Sequence, residues 1–288
     1  MNTTLPQTQW LGVASSLRWI AAACAITAPT LVGAQAGNAD DATTAAAQVG
    51  VGNSAPTKGS SSFYAGLDVG AAFVKDFTMT VTSPVQVPFL DGFDPVEIGA
   101  GYREKLSFDP GLRVNLNLGV RLAERLHLEL QPGWILNTGS RAVLFEGVGP
   151  TPDSPEYVIQ VARDDIELTQ IPLLASLVGV IPISNRFTVR MGFGAGAVLS
   201  SLSADYSISY ANDAEFGRTT AYGDTDVDVS FAYQAKLGLE YALTQTMFLG
   251  IGYQFLGVGE TEWSLWNGEI STPNLFTQSL LGTFVVKF

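Results

Sequence analysis

The chain has 288 residues and a net charge of −12, and only 15% of its side chains are charged, against about 25% in a typical soluble protein. Its acidity excludes nucleic acid as an expected partner, because binding nucleic acid requires a basic surface. With one histidine and one cysteine, the sequence cannot form a Cys/His zinc cluster or an intramolecular disulfide. Beyond the N-terminal region it has no run of the ~20 apolar residues that a transmembrane helix requires. Alternating strands would explain the apolar content instead.

The N-terminal region has the order of features that marks a protein for export. Arg18 precedes the apolar stretch WIAAACAITAPTLV, which spans residues 19–32, and the small residues VGAQAG follow it. This order predicts a secretory signal peptide over residues 1–34, with cleavage after Ala34 or, alternatively, after Ala36.

Two other features bear on processing and domain organisation. The stretch AAAC, which ends at Cys24, hints at a lipoprotein cleavage site but lacks the usual leucine, so lipidation is the less favoured alternative. Residues 35–60 are rich in Ala, Gly and Thr without a periodic apolar face, and they predict a disordered linker. The remaining residues, 61–288, carry a repeated strand pattern and form the predicted folded domain.

The clearest strand signal is the segment LSFDPGLRVNLNLGVRL, residues 106–122, which alternates apolar and polar side chains. A period of two predicts a β-strand with one apolar and one polar face. A further run, residues 166–180, is apolar on both faces, so its phase is not determined. Similar alternating runs begin at or near Phe63, Leu126, Phe187, Val227, Leu249 and Phe276. The pattern predicts an all-β fold of about eight strands.

The connections between these strands differ in length. Short connections lie at 122–126, 181–186 and 242–246, and long polar or Gly/Pro-rich ones lie near 75–104, 137–165, 201–225 and 257–274. This asymmetry is typical of outer-membrane barrels, whose short turns face the periplasm. In hydrocarbon every backbone N–H and C=O needs a partner, so the strands must close on themselves. We therefore predict a closed antiparallel up-and-down transmembrane β-barrel in which the last strand pairs with the first.

The sequence ends on LLGTFVVKF, with Phe284, Val286 and Phe288 on one apolar face. Together with the signal peptide and the alternating strands, this ending resembles the small eight-stranded outer-membrane barrel family, which includes outer-membrane proteins A, W and X. The resemblance covers roughly residues 62–288. It implies location in a bacterial outer membrane, with outer-membrane lipid and lipopolysaccharide as neighbours. It also implies that periplasmic chaperones and the barrel-assembly machinery insert the chain, reading the three outward residues as an assembly signal. A monomer is the favoured oligomeric state.

The polar faces of the predicted strands carry charges of both signs. In a barrel of eight strands these side chains point into an interior that side chains nearly fill. Because burying a lone charge is costly, a salt-bridged plug is the favoured interpretation. The alternative is a narrow pore or a path for a polar ligand. The predicted lumen residues are Asp68, Asp109, Arg113, Arg121, Glu129, Arg190, Asp228, Lys236 and Glu240.

Enzymatic chemistry finds little support in the sequence. His127 lies on a polar face beside Glu129, and no serine is close to it in sequence. A Ser-His-acid site needs its nucleophile within hydrogen-bond reach of the base, so a structural histidine is favoured. We expect no catalytic residue, no cofactor and no metal site.

The long connections contain acidic and aromatic side chains. The segments 91–97, 151–157 and 210–217 are acidic, and solvated charge is favoured over a calcium site because none matches an EF-hand spacing. Apolar residues in the long connections could support adhesion or bind an apolar ligand, or they could belong to the barrel rim: Phe89, Leu90, Phe93, Trp263 and Trp266.

The sequence favours a non-enzymatic role in outer-membrane structure or surface interaction, with a largely plugged lumen. The alternative is a narrow pore or transporter for small or apolar solutes. An outer-membrane lipid-modifying enzyme is the remote alternative. Because one fold supports many functions, the sequence does not choose among the non-enzymatic roles.

Overall fold

The structure is a computed structural model that describes residues 63–87, 96–139, 142–151, 154–210, 220–265 and 267–288. The predicted signal peptide and linker lie outside these residues, as do the acidic segments 91–95 and 211–217 and the side chains of Phe89, Leu90, Phe93 and Trp266. In the described part of the chain, no helix is long and apolar enough to cross a membrane. The strands are β1 (Phe63–Val74), β2 (Phe77–Val81), β3 (Val85–Val87), β4 (Val96–Ile98), β5 (Arg103–Leu106), β6 (Gly111–Ala123), β7 (Leu126–Gly139), β8 (Ala142–Thr151), β9 (Ser154–Pro182), β10 (Phe187–Tyr210), β11 (Thr220–Ala242), β12 (Met247–Val258), β13 (Thr261–Leu265), β14 (Gly268–Thr272) and β15 (Leu275–Lys287).

Eight of these strands form a closed antiparallel barrel. They pair in the order β1-β6-β7-β9-β10-β11-β12-β15, and β15 pairs with β1 to complete the ring. The predicted fold class, the strand number and the pairing of the last strand with the first are therefore confirmed. Paired residues lead from Phe63 through Val120, Leu128, Leu177, Phe193, Ala235, Phe255 and Gln278 back to β1 at Phe73. One circuit of the ring therefore shifts the pairing along β1 from Phe63 to Phe73. Such a shift accompanies the strand tilt that closes a barrel.

Turns around residues 124–125, 183–186 and 243–246 lie at one end of the barrel, here called the short-turn end. The opposite end is the long-loop end. Outward side chains along the barrel strands are apolar and exposed, as for Leu237 at 54% and Ile251 at 66%. Inward side chains are buried and, in the half nearer the short turns, mostly polar. The run 166–180 has an assigned phase, with Leu173 and Leu177 outward and Ser176 inward.

The alternating segment 106–122 is not one strand, contrary to the prediction. Leu106 ends β5 and is fully buried, whereas β6 begins at Gly111 and its Leu112 is exposed. Between them, Phe108 forms only an isolated bridge with Gly139. Pro110 lacks a backbone N–H and cannot continue a ladder, so the alternating pattern is interrupted there.

A second, four-stranded sheet continues the wall of the barrel at the long-loop end. Its order is β13-β14-β2-β5, and these strands are the immediate neighbours in sequence of β12, β15, β1 and β6. Its apolar face packs against the inward face of the extended strands β9, β10 and β11 in one hydrophobic core. A hairpin-like extension, β8, pairs with β9, and β3 pairs with β4. The barrel therefore continues beyond its polar half as two packed sheets with an apolar centre.

Gly119 shows how glycine shapes the interior. It pairs with Tyr64 across β6 and β1, and a Cβ built on it would lie 1.9 Å from the Tyr64 ring. Only a residue without a side chain leaves space for the ring there. The ring then lies over β6, and its hydroxyl group reaches Glu129 on the next strand, β7.

Candidate functional site

The half of the lumen near the short turns contains a cluster of alternating charges centred on Glu129, on β7. Its Oε2 accepts hydrogen bonds from the Tyr64 hydroxyl and from Arg190 Nη2, each at 2.7 Å, and its Oε1 accepts one from Lys236 Nζ. Arg190 also pairs with Glu240 at 2.9 Å. Glu129 is only 1% exposed, so its charge depends on these cations for stabilisation. Two acids and two bases make the cluster neutral.

A layer of amide side chains lies next to this charge cluster, one step along the strands toward the long loops. Gln254 Nε2 donates to Asp68 Oδ2 at 3.1 Å, and Asn115 Nδ2 donates to Gln254 Oε1 at 3.2 Å. Gln234 Nε2 donates to Gln131 Oε1 at 2.7 Å. All five side chains are buried. They come from β1, β6, β7, β11 and β12, so the layer crosses the lumen and links opposite walls.

Beyond the amide layer the interior becomes apolar. Along β7 the inward residues change from Glu129 through Gln131 to Ile135, which is fully buried. Trp263 of β13 is 1% exposed, and its Nε1 donates to the Ser200 carbonyl oxygen at 3.0 Å. The other residues of this core include Phe77, Met79, Leu106, Ile166, Leu168, Val198, Leu202, Leu265 and Ile270. The lumen is thus filled by packed hydrocarbon at the long-loop end.

One ion pair lies within this apolar region. Glu104 of β5 pairs with Arg163 of β9, and the two side chains are 7% and 3% exposed. Burial raises the pKa of Glu104, and the neighbouring Arg163 cation opposes that shift. The pair joins the four-stranded sheet to the barrel strands across their common core.

A small cavity of about 50 Å³, lined by both polar and apolar residues, lies beside the charge cluster. Its lining includes Asp68, Asn117, Lys236 and Gly252. Asp68 Oδ1 and Asn117 Oδ1 are buried without a hydrogen-bond partner among the described residues. A water molecule needs roughly 10–15 Å³ measured in this way, so the cavity has room for a few waters rather than for a solute.

The predicted lumen residues occupy different places. Asp68, Arg113, Glu129, Arg190, Lys236 and Glu240 line the interior, in the charge cluster and the amide layer. Arg121 is half-buried at the short-turn end, where its Nε donates to the Ala123 carbonyl oxygen.

Two predicted lumen residues lie outside the charge cluster and the amide layer, and one of them, Asp109, corrects the expectation. Asp109 is exposed, because it belongs to the irregular segment before Pro110 and is bound there through its backbone N–H to the Thr138 carbonyl oxygen. Asp228 lies on the long-loop side, where its Oδ2 accepts from the Ser230 hydroxyl at 2.7 Å. Asp228 keeps the inward phase of β11, between the exposed Val227 and Val229, whereas the alternation before β6 is interrupted at Pro110.

Sequence reasoning did not single out Tyr64, Gln131 or Gln254. Tyr64 alternates with the outward residues Phe63 and Ala65, so the pattern predicts that it faces inward. Its hydrogen bond to Glu129 on β7 could not be predicted from that pattern. The two glutamines occupy the same polar faces as the predicted charges. Trp263, which the sequence places in a long connection, either for contacts or at the barrel rim, is buried in the core.

The outward residues of the last strand lie beside the closing seam. Phe284 and Phe288 are exposed on the outer face and Val286 is partly exposed. The backbone N–H of Phe288 donates to the Phe63 carbonyl oxygen at 3.0 Å. The end of the strand is therefore paired with the start of β1. Its use as an assembly signal stays a prediction.

His127 has no catalytic neighbour in the described part of the chain. Its ring packs against the Tyr64 ring at 5.3 Å, and its Nδ1 has no hydrogen-bond partner there. No group of three or more His, Cys, Asp or Glu among the described residues is placed to hold a metal ion.

Comparisons with known proteins agree with this architecture. Residues 24–277 match the family described as outer membrane protein beta-barrel domain. No curated protein matches the sequence. Among solved structures, Neisserial surface protein A is 16% identical, with 80% of this chain and 100% of that chain covered and a TM-score of 0.39. OprG from Pseudomonas aeruginosa is 13% identical, with 80% and 99% covered and a TM-score of 0.37.

Similar folds include an enzyme as well. The outer membrane protease OmpT from Escherichia coli is 9% identical, with 81% of this chain and 99% of that chain covered and a TM-score of 0.29. The family match spans most of the chain, and the barrel has an apolar outer face and a closed ring of strands. The chain belongs to the outer membrane protein beta-barrel domain family and is a protein of the bacterial outer membrane.

Proposed function

We propose that the protein is a non-conducting barrel with a structural or surface-interaction role in the outer membrane. The observation that carries this proposal is the filling of the lumen at two successive levels. The charge cluster around Glu129 occupies the half near the short turns, and the core around Trp263 occupies the long-loop end.

The two levels exclude different species. A neutral, hydrogen-bonded charge cluster leaves space for a few waters but not for a solute. A packed hydrocarbon core excludes water and ions. It leaves no room for them, and an ion that entered would lose its hydration without gaining a polar partner. A path through the barrel would have to displace both.

A role at the cell surface agrees with the size of the region beyond the polar lumen. Strands β9, β10 and β11 contain 29, 24 and 23 residues, whereas β1 contains 12. At about 3.3 Å per residue, the long strands exceed what a tilted strand needs to cross a membrane. Their extensions and the four-stranded sheet supply a folded surface for contacts.

Single-channel conductance of the refolded protein in a planar bilayer tests the proposal. Insertion is checked by the shift in gel migration between unboiled and boiled protein, and an open porin in the same bilayers is the positive control. We expect inserted protein to remain silent. Discrete current steps that change in Glu129→Gln or Arg113→Gln would contradict the proposal and favour the narrow pore, and solute screens would follow.

A non-enzymatic role is part of the proposal. It is supported by the surroundings of His127. Its ring packs on the Tyr64 ring, and its Nδ1 has no hydrogen-bond partner among the described residues. We expect His127→Ala to leave any lipid hydrolysis by purified protein unchanged. Hydrolysis that the wild type performs and this folded variant has lost would revive the lipid-modifying enzyme.

A further inference from the structure

The exposed charges differ in sign between the two ends of the barrel. In the part of the chain that the structure describes, acidic side chains outnumber basic ones at the long-loop end. The exposed acids there include Asp76, Asp109, Asp165, Glu167, Asp205, Glu260, Glu262 and Glu269, and the exposed bases are Lys75, Arg103 and Lys105. The short-turn end has the opposite balance. Among the described residues its charged side chains are Arg121, Arg125, Arg186 and Lys287 on the basic side and Glu124 on the acidic side.

This basic rim, defined as Arg121, Arg125, Arg186 and Lys287, is unusual in a chain whose net charge is −12. It is held in place by hydrogen bonds between neighbouring turns. Val180 N donates to the Arg125 carbonyl oxygen at 2.9 Å, and Ala242 N donates to the Arg186 carbonyl oxygen at 2.8 Å. Arg125 and Arg186 are therefore held at their backbones, while their side chains are exposed.

The basic rim lies at the edge of the apolar outer surface that is nearer the short-turn end. Exposed apolar residues are present at this level around the barrel, namely Phe63, Leu122, Leu126, Ile183, Phe187, Leu243, Met247 and Phe288. Arg186 Nη1 donates to the Tyr241 hydroxyl at 2.8 Å, and the rings of Phe187 and Tyr241 lie 5.1 Å apart. Aromatic rings with a polar tip prefer the boundary between hydrocarbon and headgroups. The guanidinium of Arg186 therefore lies at headgroup level.

We propose that the basic rim binds the headgroups of anionic phospholipids in the periplasmic leaflet of the outer membrane. A guanidinium donates paired hydrogen bonds to phosphate oxygens, and two exposed arginines on adjacent turns give the rim two such groups. Each basic residue near an anionic membrane surface contributes an attraction that salt weakens. The inference goes beyond the proposed function and holds whether or not the lumen conducts.

The test compares two lipids and two ends of the barrel. Protein is reconstituted in phosphatidylcholine vesicles with a trace of spin-labelled phosphatidylglycerol or spin-labelled phosphatidylcholine. The fraction of each labelled lipid that is motionally restricted by the protein gives its relative association constant. We expect a several-fold preference for phosphatidylglycerol that declines in 0.5 M NaCl.

Two matched double variants locate the preference. Arg125→Gln/Arg186→Gln removes two charges from the basic rim, and Lys75→Gln/Arg103→Gln removes two from the other end. We expect the first to bring the association constants of the two lipids close to equality, and the second to keep the wild-type preference. Arg125→Lys/Arg186→Lys should retain most of the preference, which separates charge from folding.

Three results would overturn the proposal. One is equal association of the two lipids with wild-type protein. Another is the same loss in both double variants, since net charge and not the basic rim would then attract the lipid. The third is an unchanged preference in Arg125→Gln/Arg186→Gln with normal gel migration.

Discussion

Replacing Glu129 by glutamine should destabilise the barrel more than any exposed charge change. The carboxylate accepts bonds from Tyr64, Arg190 and Lys236, and it is 1% exposed. Arg190 keeps a second partner in Glu240 after the substitution. Lys236, whose side chain is 12% exposed, loses the only salt-bridge partner that the described residues provide within bonding distance.

The expected cost follows from leaving a largely buried ammonium group without the carboxylate to which it is hydrogen-bonded. Breaking one partner of a buried pair typically costs about 3–5 kcal/mol. The exposed pair between Lys105 and Asp76, with side chains 68% and 43% exposed, is the matched control, because solvent screens such pairs and they contribute little to stability. Asp76→Asn should therefore have almost no effect. Removing both charges in Glu129→Gln/Lys236→Met should recover part of the loss, because no unpaired charge remains.

Urea unfolding in phospholipid vesicles, followed by tryptophan fluorescence, measures the difference. With a slope of roughly 3 kcal/mol per M, the loss corresponds to a decrease of about 1–2 M in the unfolding midpoint of Glu129→Gln. The reasoning is refuted if Glu129→Gln unfolds at the same midpoint as Asp76→Asn, or if the double variant is no more stable than the single one.

Further predictions address packing and assembly. Gly119→Ala places a Cβ 1.9 Å from the Tyr64 ring and should cost about 1–3 kcal/mol in the same titration, whereas Gly252→Ala, with 3.5 Å to its nearest atom, should be neutral or slightly stabilising. Trp263→Phe removes a buried hydrogen bond and should cost about 1–3 kcal/mol while speeding limited proteolysis at the long-loop end. Deleting Phe288 should reduce the amount of assembled protein in the outer membrane, measured by heat-modifiable gel migration; unchanged levels would contradict the predicted assembly signal.

Much of the barrel was predictable because one rule governs each strand. A membrane-crossing strand must place apolar side chains outward at every second position, so the phase of a run such as 227–240 fixes which residues face the lumen. Glu129, Lys236 and Glu240 were found in this way. The hydrogen bonds between these side chains could not be predicted. They depend on how strands far apart in sequence are aligned around the ring, and the alternating pattern within one strand does not determine that alignment.

The closure of the long-loop end could not be predicted from the sequence, for a different reason. The segments that fill it are strands of four or five residues, such as FTMTV in β2 and TEWSL in β13, within connections rich in glycine, proline and polar residues. Phe77 and Met79 alternate with threonines, and Trp263 and Leu265 alternate with polar residues. Each run is too short to distinguish a strand from a loop that happens to alternate.

Nor does any one of these segments bury its apolar face alone. Phe77 and Trp263 are 7% and 1% exposed only because residues of β9 and β10 extend beyond the polar lumen to cover them. One feature of this closed end could have been predicted from the sequence, namely the length of β9, which has 29 residues. Its first half does not alternate apolar and polar side chains as a membrane-crossing strand does. A barrel strand that continues past the membrane must pack its inward face against something, because exposed apolar residues there would face water. Long strands beside short alternating segments therefore point to a closed outer end, and the conductance measurement tests that relation directly.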